Sequence, residues 1–69
     1  GGTMPAVMNA ANEVAVDAFC EGRIRYDEIT ATVAQTMSRH EIVAYDDLAQ
    51  VLEADAWARV EAGRIVAGS

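Results

Sequence analysis

The stretch from Met4 to Glu21 constrains this chain more than any other part of it. Ala, Val, Met and Glu dominate the stretch, which contains no glycine and no proline beyond Pro5. Alanine is the best helix former, and a proline is tolerated in the first helical turn. Thr3 can cap the start, and Gly22 stands where a left-handed residue would end a helix. The stretch therefore predicts one long helix against which the rest of the chain packs.

The predicted helix has apolar residues on two opposite faces. At 100° per residue, the broader face carries Met4, Val7, Met8, Ala11, Val14, Ala15, Ala18 and Phe19. The opposite face is a mixed stripe of Asn9, Asn12, Glu13, Val16 and Cys20. A solvated surface has no need of Val16 and Cys20, and burial of an unpaired Glu13 carboxylate is costly. We expect the mixed stripe to contact another part of a larger protein; the alternative is an ordinary solvated face.

Composition limits the functions that this chain can have. Its 69 residues allow one small domain, and its net charge of −6, with five Arg and no Lys, excludes nucleic acid and anionic membranes as expected partners. A single Cys excludes an internal disulfide and fits a reducing compartment. No apolar run approaches the ~18 residues of a membrane span.

The rest of the chain reads as shorter helices joined by loops. Asp27 can cap a second helix from about Glu28 to Arg39, whose apolar stripe is Ile29, Val33, Thr36, Met37 and His40. Ile24 and Tyr26 are expected to plug the core beneath the preceding turn. Residues 40–45 read as a loop.

Two further helices are predicted after that loop. Asp46 or Asp47 can cap a short third helix, and Asp55 can cap a fourth one that Gly63 weakens near its end. Their inward residues would be Leu48, Val51, Leu52, Ala56, Trp57 and Val60. Trp57, together with Phe19 of the first helix, is predicted to anchor the core. The fold class is therefore all-α, a small antiparallel bundle of three to four helices.

Two groups of residues could carry chemistry, and each has a simpler interpretation. Carboxylates at positions 46, 47, 53 and 55 could converge on a divalent metal, but helix capping and solvation explain them better. Cys20 and His40 could form a nucleophile–base pair, but an antiparallel arrangement places them at opposite poles of the bundle. We assign no catalytic, cofactor-binding or metal-binding residue.

Two motifs together resemble a known enzyme family. The first is Asn9-Ala10-Ala11-Asn12-Glu13, followed by Val16, Phe19 and Gly22-Arg23-Ile24; the second is Val-Leu-Glu-Ala-Asp-Ala-Trp-Ala-Arg, from Val51 to Arg59. In this order they resemble the C-terminal helical domain of the 1-deoxy-D-xylulose 5-phosphate reductoisomerase family. Cys20 replaces the leucine usual in that family, and Gln50 replaces an acidic residue that often caps the following helix.

The resemblance implies a parent enzyme that uses NADPH and Mg²⁺ or Mn²⁺ to make 2-C-methyl-D-erythritol 4-phosphate in non-mevalonate isoprenoid biosynthesis. The parent would be a homodimer in the bacterial cytoplasm. Residues 1–69 would be a single, non-catalytic C-terminal domain excised from it, with the catalytic domain as partner. Independently of the resemblance, exposure of Val16 and Cys20 in the excised piece would make it prone to weak self-association. The alternative is a free-standing acidic helical protein-interaction module.

Overall fold

Three α-helices make up the described part of the chain. The computed structural model describes residues 3–40 and 48–68, where α1 is Met4–Cys20, α2 is Asp27–Arg39 and α3 is Leu48–Ala67. No strand occurs in these ranges, and the prediction of an all-α chain is confirmed. None of these three helices combines the length and apolar character that a membrane span requires.

The buried contacts give the directions of the helices. Near the start of α1, Val7 and Ala10 pack against Ala54 and Ala58 of α3, and Met37 from the end of α2 joins them. A second cluster lies at the other end of α1, where its members are Ala15, Ala18, Ile24 and Val66, with Val14 and Ile29 packed against them. α1 and α3 therefore run in the same direction, and α2 runs between their two ends in the opposite direction.

Alanine dominates the core. Seven of the ten buried apolar residues in the described part of the chain are alanines, and five of the ten belong to α1: Val7, Ala10, Ala11, Ala15 and Ala18. Small side chains allow two helices to approach closely, because little volume separates their backbones. α2 follows the same pattern, since its fully buried residues are Thr32 and Thr36, whose hydroxyls donate to carbonyl oxygens of their own helix.

The prediction that Trp57 and Phe19 anchor the core is wrong, because 37% of the Trp57 surface and 39% of the Phe19 surface are exposed. The Trp57 ring lies beside His40 at 5.3 Å between centroids, and Phe19 meets Tyr26 edge-to-face at 5.6 Å. Helices that touch through alanines leave no interior space for a large ring, so the rings lie at the margins of the bundle. Ile24 is buried as predicted, whereas Tyr26 is exposed.

The predicted third and fourth helices are a single helix, α3. Asp55 does not cap a helix start: it lies inside α3, and its carboxylate accepts hydrogen bonds from Arg59 one turn later. No glycine or proline interrupts residues 48–62, so nothing in the backbone requires a break there. The proposed caps Asp46 and Asp47, and most of the proposed loop, lie outside the described residues.

The ends of α1 and α2 also differ in detail from the prediction. Thr3 precedes α1, but its hydroxyl shares a hydrogen bond with Nε2 of His40 and does not cap the helix. Asp27 is the first residue of α2 and not its cap; the residue at the cap position, Tyr26, forms no side-chain cap bond, and the Glu28 carboxylate instead accepts a hydrogen bond from the backbone N–H of Arg25. Gly22 has φ +75° as predicted, and the amides of Gly22 and Arg23 bond back to α1 in a Schellman motif.

The close contact of α1 and α3 through alanines predicts that a larger side chain in this interface destabilises the fold. Ala58→Leu should destabilise the fold by about 1–3 kcal/mol, because the added side chain must separate α1 from α3. Ala56→Leu is the matched control, since Ala56 is exposed on the same helix, and it should change stability by no more than about 0.5 kcal/mol. Urea unfolding followed by circular dichroism measures both. Equal unfolding midpoints for the two variants would contradict close packing at Ala58.

Candidate functional site

The mixed stripe lies on the outer surface of α1. All five of its residues, Asn9, Asn12, Glu13, Val16 and Cys20, are exposed. They face outward because the opposite side of α1 is committed to the alanine contacts with α2 and α3. The structure therefore brings the predicted contact residues together on one accessible helix face.

Glu13 links this face to α3 through Arg59. The Nη2 group of Arg59 donates to Oε2 of Glu13, while its Nε donates to Oδ2 of Asp55 at 2.9 Å. These hydrogen bonds, the one to Asp55 first and the one to Glu13 second, raise the pKa of Arg59 above its ordinary value. All three groups remain in contact with solvent. The network links α1 to α3 but adds little stability, because exposed ion pairs contribute little.

Arg59 is a site residue that sequence reasoning missed. The i,i+4 spacing of Asp55 and Arg59 is typical of an ion pair on a helix surface, so that half of the network was accessible to prediction. The other half was not, because Glu13 and Arg59 are 46 positions apart and meet only through the packing of α1 on α3.

Cys20 and His40 lie at opposite ends of α1. His40 is tied to Thr3 at the start of the helix, whereas Cys20 is its last residue. The 17 residues of α1 separate these ends, which is roughly 25 Å at 1.5 Å per residue. A Cys20–His40 nucleophile–base pair is therefore excluded.

The carboxylates that could have held a metal are not gathered in the described part of the chain. Asp55 pairs with Arg59, and Glu53 lines a separate surface hollow beside Thr3 and His40. Asp46 and Asp47 lie outside the described residues. No group of three His, Cys, Asp or Glu side chains comes together within residues 3–40 and 48–68.

Additional large apolar residues are exposed at two places. Met8, Phe19 and Tyr26 extend the apolar part of the α1 surface toward α2. On α3, the side chains of Leu48, Leu52 and Val60 are also exposed. The α3 residues were predicted to face inward, and they face outward because Ala54, Ala58 and Ala62 occupy the buried side of that helix.

Comparison with known proteins gives a consistent result over nearly the whole chain. A family model described as the DXP reductoisomerase C-terminal domain matches residues 1–61. A 1-deoxy-D-xylulose 5-phosphate reductoisomerase of Ralstonia pickettii is 55% identical over 67 residues, covering 97% of this chain and 17% of the relative. No solved structure gives a significant match.

Two further relatives are also named 1-deoxy-D-xylulose 5-phosphate reductoisomerase. The protein of Thermodesulfovibrio yellowstonii is 52% identical over 59 residues, covering 86% of this chain and 16% of its own length. That of Desulfitobacterium hafniense strain Y51 is 48% identical over 68 residues, covering 99% of this chain and 18% of its own length. The chain thus spans less than a fifth of the curated relatives that it matches.

Proposed function

The chain belongs to the family of DXP reductoisomerase C-terminal domains, and from that premise we propose that residues 1–69 form the supporting helical C-terminal domain of a 1-deoxy-D-xylulose 5-phosphate reductoisomerase. The observation that carries this proposal is the identity of about half the residues over nearly the whole chain, against a small share of each relative. The free-standing interaction module is the weaker alternative, since it gives no reason for that similarity.

The activity belongs to the longer protein in this proposal. Its reaction is the conversion of 1-deoxy-D-xylulose 5-phosphate to 2-C-methyl-D-erythritol 4-phosphate with NADPH and Mg²⁺ or Mn²⁺, which places it in isoprenoid biosynthesis. This chain contributes none of the catalytic, NADPH-binding or metal-binding groups. A homodimeric longer protein, a location in the bacterial cytoplasm and weak self-association of the isolated chain remain predictions.

The mixed stripe is the surface by which we propose that this domain contacts the catalytic domain. Asn9, Asn12 and Glu13 supply hydrogen-bonding groups, and Val16 and Cys20 supply apolar area, on one exposed face. Such a mixture of hydrogen-bonding and apolar groups is typical of contacts between domains of one chain. By holding α1 in place, the alanine core would hold this contact surface rigid.

The isolated chain should be catalytically silent. With substrate, NADPH and Mg²⁺ or Mn²⁺ present, the chain should produce no NADPH oxidation above the no-protein rate, because the proposed catalytic groups lie elsewhere in the longer protein. The absorbance of NADPH measures this, and the longer protein is the positive control. Turnover that co-purifies with the chain through successive columns would contradict the proposal.

Cys20 should be protected in the longer protein. We expect its thiol to be labelled at least about tenfold more slowly in the longer protein than in the isolated chain. That factor corresponds to about 1.4 kcal/mol of opening free energy. Mass spectrometry of the peptide that contains Cys20 measures both rates. Ser38→Cys, exposed on α2, is the control and should react equally in both proteins. Equal labelling of Cys20 in both would place the contact surface elsewhere.

A further inference from the structure

A groove of about 330 Å³ runs between α1 and α2. Its lining residues are Met8, Asn9, Asn12, Ile29, Thr30 and Val33. Ile29 and Val33 are half-buried and form an apolar floor, while the two Asn and Thr30 are exposed around it. The volume lies at the lower end of the ~300–1,000 Å³ typical of binding pockets. It offers room for an apolar side chain rather than for the whole face of a helix.

The groove is uncharged although the chain is strongly acidic. None of its six lining residues carries a charge, whereas the whole chain has a net charge of −6. A basic or acidic partner would find no matching charge here. A second copy would bring another net charge of −6 to this groove, which makes it less favourable here than a neutral segment. The chemistry of the groove therefore fits a neutral segment.

The two Asn side chains identify the groups that such a segment must offer. Asn9 and Asn12 are exposed one turn apart on α1, and within residues 3–40 and 48–68 neither amide has a hydrogen-bond partner. A side-chain amide carries both donors and an acceptor, as a peptide group does. A helix satisfies its own backbone internally, whereas an extended segment leaves N–H and C=O groups free to bond. Amides beside an apolar floor therefore match extended backbone.

We propose that this groove binds an extended, uncharged segment of the longer polypeptide, with an apolar side chain against Met8, Ile29 and Val33 and backbone groups bonded to Asn9 and Asn12. The inference rests on the proposed function, because the segment comes from the rest of the reductoisomerase chain. The relatives are about six times as long as the matched region, so most of the polypeptide that could supply the segment lies outside residues 1–69. Covalent connection raises its effective concentration at the groove.

Oxidation of Met8 in the intact longer protein tests the proposal. The side chain is 48% exposed when the groove is open, so an empty groove leaves its sulfur accessible to an oxidant in solution. With the segment bound, dilute hydrogen peroxide should oxidise Met8 at least about tenfold more slowly in the native than in the guanidinium-unfolded protein, a factor worth about 1.4 kcal/mol. Mass spectrometry of the Met8 peptide gives both rates.

A double substitution separates extended backbone from other occupants. Asn9→Leu with Asn12→Leu should speed Met8 oxidation in the native protein by about tenfold, because backbone groups of the segment lose their partners. Gln35→Leu is the matched control: it replaces an exposed amide on α2 outside the groove, and it should leave the rate unchanged. Leucine is a better helix former than asparagine, and the helical circular dichroism signal checks that the double variant folds.

Each other outcome overturns the proposal. If Met8 is oxidised in the native protein without the tenfold slowing, the groove is open and the proposal fails. Protection of Cys20 in the same protein would then show that the proposed function still stands. Met8 that stays protected in the double-leucine variant means that an apolar helix or sheet covers the groove. Protection that decreases on dilution identifies a second copy as the occupant.

Discussion

The contact between the alanines of α1 and α3 determines the rest of this structure. Ala10, Ala54 and Ala58 are almost completely buried, and together with Val7 they allow the two helices to touch with little side-chain volume between them. A core of this kind has no interior space for large rings, so Trp57 and Phe19 lie at its margins. As a result, one side of α1 is buried against α2 and α3, and the other side is exposed to solvent or to a partner.

Local rules predicted much of α1 but less of α3. Helix propensity, together with Gly22 as the left-handed residue, defined α1 to within one residue of its end, and the helical wheel placed the mixed stripe outside. Asp55 misled the prediction because an aspartate before a run of helix formers can either cap a helix or pair with an arginine one turn later. The second possibility holds, and α3 continues through it.

Features that depend on contacts between different helices could not be predicted from the sequence. The expectation that Trp57 anchors the core assumes that the largest apolar ring goes inside, which fails where helices meet through alanines. The link from Glu13 to Arg59 and the groove between α1 and α2 depend on how helices distant in sequence pack together. No spacing within a single helix indicates either feature, whereas the exposure of Asn9 and Asn12 follows from the helical wheel alone.

We propose that a rigid alanine core presents the outer face of α1 to the rest of a reductoisomerase. Hydrogen exchange measured on the isolated chain and on the longer protein, peptide by peptide, tests it most directly. In the longer protein, the peptide spanning Met4–Cys20 should gain more protection than the peptide spanning Leu48–Ala67, because contact across α1 suppresses its local opening. Added protection confined to α3, whose exposed Leu48, Leu52 and Val60 are the competing apolar residues, would contradict this proposal.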